Sequence, residues 1–225
     1  MKKRVIDIAV ISNLNLGSCA CRAEEFLTYL SSIKPAILIF TGEITVSSFT
    51  GNTALPQAQF RIILKLIELA TANTEIIYIG NKNDREANKI AQKVNARFKI
   101  CKGLDLKIGK ACVQFISDRE FFEIGSDVRK MHRIIDRALK HGFTHLIISA
   151  KGKSKKQWLE TQQGELCVMH SGDWTQSLSA LEYAFKRWKI YHYSEDKLAA
   201  FYADEALKAM NYDDLEASLP NPESN

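Results

Sequence analysis

The sequence contains no apolar run near the roughly 18 residues that would cross a bilayer as a helix. Its charged start, MKKRVIDIAVIS, lacks the small-residue site at which a signal peptide is cleaved. Neither a transmembrane helix nor a secretory leader is therefore expected, and VIDIAVI reads as a first core strand. Cysteine is sparse: the five residues, at 19, 21, 101, 112 and 167, form no pair of CxxC elements. That pattern argues against a disulfide framework or a zinc knuckle and fits a reducing cytoplasm. The net charge is only +5, and the basic residues are dispersed except for KGKSKK at 151–156, so there is no strong nucleic-acid signal. Internal repeats and low-complexity stretches are missing as well.

What remains is a chain of 225 residues, 46% hydrophobic, enough for one sizeable core. A single domain over 1–212 is expected, followed by a polar tail, 213–225, that should be disordered. Apolar runs of strand length occur at VIDIAVI (5–11), AILIFTG (36–42), EIIYIG (75–80), CVQFIS (112–117) and HLIISA (145–150). Between them lie amphipathic segments with helical spacing, CRAEEFLTYLSSI, LPQAQFRIILKLIELATA, REANKIAQKVNA and DVRKMHRIIDRALKHG, the last closed by a glycine suited to a C-cap. Strand and helix in repetition predict an α/β sandwich. Beyond residue 155, QWLETQQGELCVMH reads as a hairpin turning at Gln163-Gly164, SALEYAF and RWKIYHY as antiparallel strands, and Glu195–Met210 as a terminal helix.

In such sheets the chemistry sits in loops at the carboxyl ends of the strands. Five loops qualify: NLNLGS, TGEIT, GNKND, SDRE and AKGK. Their order resembles that of the calcineurin-like metallophosphoesterases, whose successive loops carry DxH, GD, GNHD, a lone His and GHxH and together hold two metal ions. The opening ISNLNLGSCACRAEEFLTYLSSIKPAILIFTGEI, the stretch YIGNKNDRE, and MHSGDWTQSLSALEY followed by RWKIYHYSED are similar to the UDP-2,3-diacylglucosamine diphosphatase branch, over most of residues 4–197. The resemblance implies a four-layer α/β/β/α sandwich of two mixed sheets flanked by helices. It also implies a pyrophosphohydrolase of lipid A biosynthesis using two divalent metals such as manganese, in the cytoplasm or at the periphery of a bacterial inner membrane. The helical lid that these enzymes insert is expected to be shortened or absent between SDREFFEIG and the helix at 127–141.

Carried over position by position, the family's ligands are almost all replaced. Asp and His of the first loop fall on Asn13 and Asn15, and the GD carboxylate falls on Glu43. The third-loop Asn and His fall on Lys82 and Asn83, although a one-residue gap would keep Gly80-Asn81 as the family's GN. The lone His falls on Ile116, and the GHxH pair on Lys151 and Lys153. Divalent ions need carboxylate oxygens or neutral imidazoles, whereas a protonated lysine offers donors and no lone pair. Without metals, the bridging hydroxide that such enzymes use has no source. No catalytic residue and no metal cofactor are therefore expected, and the chain reads as a degenerate relative of an enzyme. Glu43 with Lys82, Lys151 and Lys153 still sums to about +2, which makes those lysines candidates for binding a phosphate-containing small molecule. Three alternatives stand beside that reading: structural drift, a protein partner or homodimer in which the chain supports an active relative, and retained phosphoesterase activity.

Ser171-Gly172-Asp173-Trp174 is the best-kept motif, and Asp173 is expected to order the neighbouring loop without a histidine nearby. Cys19 and Cys21 form a CxC beside Arg22, where a cation and a helix N-terminus could lower a thiol pKa, but packing is the plainer role. His132, His141 and His145 have no metal-binding spacing and read as surface or capping residues on or near one helix.

Overall fold

A computed structural model describes residues 3–46, 55–80, 84–94, 97–116, 128–149 and 152–196. The terminal helix and tail expected beyond Asp196 and the shortened lid segment lie outside these residues.

Among the described residues, eleven strands form two mixed sheets. The first has the order β11-β10-β1-β2-β3-β4, where β1 is Arg4–Ser12, β2 Ile33–Thr41, β3 Glu75–Ile79, β4 Phe98–Cys101, β10 Ser179–Ala184 and β11 Arg187–His192. β1 to β4 run parallel, and β10 adds antiparallel to β1 with Ile8 opposite Tyr183. The second sheet has the order β5-β6-β7-β9-β8, comprising β5 Leu104–Ile108, β6 Ala111–Ile116, β7 His145–Ile148, β8 Lys155–Thr161 and β9 Gly164–His170. Its centre, β6, β7 and β9, is parallel, and its edges are antiparallel.

Three helices, α1 (Ala23–Ser32), α2 (Gln57–Thr71) and α3 (Arg85–Val94), join the parallel strands of the first sheet. α4 (Val128–Lys140) connects β6 to β7. The apolar positions sort into three layers. Ile11, Phe40, Ile76 and Tyr78 pack against Phe26, Leu30, Ile62 and Leu66 of the helices. Val10, Ile39, Ile79, Val113, Phe115 and Met169 fill the space between the sheets. Ile116, Leu146, Ile148 and Val168 meet Ile134, Ile135 and Ala138 of α4. Side chains alternate across each strand, so two faces must both be apolar. That explains the uninterrupted AVI and LIF runs. The result is the expected four-layer α/β/β/α sandwich.

Several details differ from the sequence expectation. FKIC and LDLKI form β4 and β5. Both are short, and their lysine and aspartate alternate with apolar residues, which marks strands near a sheet edge. The hairpin turns at Gln162-Gln163, because Thr161 already pairs with Gly164, and the Thr161 hydroxyl accepts the Gln163 N–H at 3.1 Å. His145 opens β7 and lies edge-on to Trp158 at 5.6 Å.

Beneath α1, Arg4 donates to both oxygens of buried Glu182, at 3.1 and 2.9 Å, and joins β1 to β10. Burial pushes the Glu182 carboxyl up, with Arg4 opposing it. Arg4→Met should strand this carboxylate and cost roughly 2–3 kcal/mol. The loss should be smaller at pH 5 than at pH 8, because protonation relieves the unpaired charge. Urea unfolding at the two pH values reads both effects.

Candidate functional site

The loops after β1 and β2 continue as a two-stranded ladder beyond the sheet. Asn13 N–H donates to Thr41 O, Asn15 N–H to Glu43 O, Leu16 N–H to Ile44 O and Val46 N–H to Leu16 O, at 2.7–3.1 Å. The first loop reaches this register through two left-handed residues, Asn13 at φ 53° and Asn15 at φ 54°. Asparagine tolerates that conformation better than most side chains. Leu14 between them, 0% exposed, and Leu16 after them, 2% exposed, point into the core and lock the loop down. Buried Gln59 of α2 clamps the same loop from the other side. Its Oε1 accepts the Gly17 N–H at 2.7 Å, and its Nε2 donates to Ser18 O at 2.9 Å.

The two asparagine side chains differ in their partners. Asn13 is 1% exposed, and its Oδ1 accepts the Glu43 backbone N–H at 3.0 Å. That bond fixes the amide orientation, leaving Nδ2 as a buried donor without a partner among the described residues. The Thr41 hydroxyl, at the end of β2, is likewise buried and unpartnered among them. Asn15 is half-buried, and its Oδ1 has no such bond among the described residues. Glu43 is exposed.

The second sheet is joined to this corner by the Ser171–Trp174 turn, which carries the chain from β9 across to β10. The Ser12 and Ser171 hydroxyls meet in a short contact, and Trp174 N–H donates to Ser12 O at 3.1 Å. The indole of Trp174 is 0% exposed and packs on Phe26 and Tyr29, at 5.0 and 5.2 Å between ring centres. Gly172, at φ 74°, has no room for a β-carbon against the Ser177 and Ser179 side chains and the Ser154 backbone.

Asp173 is the hub of the turn. One oxygen accepts N–H groups of Thr175, Gln176 and Ser177 and the Thr175 hydroxyl, at 2.6–3.1 Å. The other accepts the Gly152 N–H at 2.6 Å, tying the loop that follows β7 to the crossover. Burial would raise its pKa, but the hydrogen bonds from Gln176, Gly152, Ser177 and Thr175 outweigh it and hold the carboxyl below its ordinary value.

Lys82, Asn83 and Lys151 lie outside the described residues. Lys153 is exposed on the loop between Gly152 and β8. Ile116 ends β6 and is buried in the layer beneath α4. Asp84 caps α3, its carboxylate accepting the Glu86 and Ala87 N–H groups at 3.1 and 3.0 Å.

Half-buried His170 ends β9, and burial together with Lys155 lowers its pKa and favours the neutral imidazole. At Cys21 burial and the Glu25 carboxylate push the thiol up to about 12, in keeping with a packing role.

The two-metal centre implied by the family resemblance does not fit the described residues. The carboxamide oxygen at Asn13 already accepts a backbone N–H, and the unpaired nitrogen beside it is a donor, which a cation cannot use. Among the described residues, no three of His, Cys, Asp and Glu are grouped closely enough to hold an ion.

No family model and no curated protein matches this chain in sequence. Solved structures do match. An archaeal phosphodiesterase is 13% identical, with a TM-score of 0.47, over 82% of this chain and 98% of that one. A Streptococcus pneumoniae protein described as a predicted phosphoesterase is 11% identical, with a TM-score of 0.41, over 84% and 90% of the two chains. Vps29 from Entamoeba histolytica, complexed with zinc, is 14% identical, with a TM-score of 0.43, over 82% and 96%.

Asp173→Asn should cost on the order of 2–3 kcal/mol, because an amide NH2 would face the Gly152 N–H and leave it unpaired. The wild-type carboxylate has a depressed pKa when folded. Its contribution should therefore be present above about pH 3.9, the ordinary aspartate value, and be lost as the pH falls through the folded value. The substitution should flatten that acid limb in thermal melts between pH 2.5 and 6.

Proposed function

We propose that this chain is a catalytically degenerate, metallophosphoesterase-like protein that binds a phosphate-containing ligand without metal ions at the carboxyl ends of β1, β2 and β7. The observation that carries the reading is the amide of Asn13. Its oxygen is bonded to Glu43 N–H, and its buried Nδ2 is left as a donor, so the position that would hold a carboxylate in a metal site offers a proton to an acceptor.

The Thr41 hydroxyl adds a second buried donor in the same corner. Lys151 and Lys153, with Lys82 from the third loop, would supply the positive charge that metals provide in the enzymes. Ammonium groups partner phosphate well as point charges, and hydrogen bonds to ionised oxygens are stronger than neutral ones. Chemically, such a site recognises a phosphate dianion or a pyrophosphate. It has neither a metal-bound hydroxide as nucleophile nor an assigned general acid to release an alcohol.

Calorimetry with pyrophosphate and uridine diphosphate tests the reading directly. Binding should weaken about tenfold in Lys153→Ala and further in Lys151→Ala/Lys153→Ala, each lost charge-assisted contact being worth about 1.5 kcal/mol. Asn13→Asp should weaken it at least as much, because it replaces a donor with a negative charge. Absence of heat with either ligand would sink the proposal.

A separate measurement addresses the active alternative. After incubation with excess manganese and desalting, elemental analysis should find almost no metal. About two ions per chain, with hydrolysis of a phosphodiester, would establish a working metallophosphoesterase instead.

A further inference from the structure

β8 is an outer edge of the second sheet. Its seven residues, KKQWLET, pair on one side with β9, from Lys155 opposite His170 to Thr161 opposite Gly164. Thr161 and Gly164 close a two-residue turn, so they exchange backbone hydrogen bonds, and strand alternation gives Leu159, Gln157 and Lys155 the same role. The N–H and C=O groups of Lys156, Trp158 and Glu160 therefore point away from β9. Among the described residues no strand takes them up.

The side chains of Lys156, Trp158 and Glu160 share one face of the strand. It is the face turned towards the first sheet, because Trp158 lies opposite Cys167, a member of the layer between the sheets. All three are nonetheless exposed, the indole by 56%, so β8 stands clear of the first sheet's cover and a second chain has room to approach. The Lys156 Nζ reaches Trp188 O of β11, the edge of the first sheet, at 3.4 Å, and two of its three N–H donors remain for another acceptor. A tryptophan exposed halfway along an unpaired edge is a combination that edge strands ordinarily avoid.

We propose that β8 pairs antiparallel with β8 of a second copy of this chain, about a two-fold axis at Trp158, joining two five-stranded sheets into one. The strand is complementary to itself in that register. With Trp158 opposite its own copy, Lys155 faces Thr161 of the second copy, and all seven residues are paired. The positions with outward backbone groups meet each other, Trp158 with Trp158 and Lys156 with Glu160, as a ladder requires. A slip of one residue would set outward groups against inward ones and break it. Lys156 faces Glu160 of the second copy on both sides of the axis, and opposite charges directly across an antiparallel pair are favourable, as are paired aromatics. The lysines that would deter an unrelated strand thus meet a carboxylate only when the partner is this same strand reversed.

Sedimentation equilibrium of the full chain from about 5 to about 300 µM tests the pairing, since such a dimer follows mass action. The wild type should pass from monomer to dimer across that range. Lys156→Glu and Glu160→Lys each set like charges opposite one another on both sides of the axis, and each should lower the association constant at least tenfold. An equimolar mixture of the two variants should associate again, because the heterodimer regains opposite charges at both positions. In nuclear magnetic resonance, the Lys156, Trp158 and Glu160 amides should exchange at least tenfold more slowly in the concentrated wild type than in either variant alone. The Gln157 and Leu159 amides, bonded to β9, should be alike in all three and show that the variants are folded. A wild type that stays monomeric throughout the range overturns the proposal. So does a dimer indifferent to both charge reversals, or a pair of folded variants that stay monomeric when mixed.

Discussion

The carboxylate of Asp173 is the constraint on which the organisation of this corner depends. Two sheets that pack face to face have no covalent reason to keep their loop ends in register, and apolar contact between them is not directional. Asp173 supplies direction. It collects the N–H groups of its own turn on one oxygen and the Gly152 N–H from the second sheet on the other. A buried anion that accepts several donors is compensated for its lost hydration, and each donor is at once positioned and satisfied.

The loop architecture of this corner is held together independently of any ligand. The scaffold rests on backbone hydrogen bonds, on the Gln59 clamp, on the Trp174 indole among Phe26 and Tyr29 and on a glycine with no room for a side chain. None of these groups needs to ligate an ion. Asn13 belongs to both sets. Its oxygen bridges the first two loops as a carboxylate oxygen could, and its nitrogen changes what the site offers to a ligand.

Much of the fold was legible in the sequence because the sandwich demands apolar residues on both faces of its inner strands, and runs such as DIAVI and AILIF leave few other readings. The helices were legible from their periodicity. β4 and β5 were not, since Lys99, Asp105 and Lys107 interrupt them as edge residues do. The site was less legible. The asparagines could be read as lost ligands, but not as the left-handed residues that fit the loop register, because φ leaves no mark in composition.

The ladder that extends the first two loops beyond β1 and β2 has a mechanical consequence. Four successive backbone hydrogen bonds and two buried leucines make those loops one body, so a ligand cannot wedge them apart without breaking several bonds at once. The loop after β7 is held to the Ser171–Trp174 turn through one carboxylate oxygen. Among the described residues, the side-chain tie from that loop to the turn is this one hydrogen bond, whereas four backbone bonds hold the ladder.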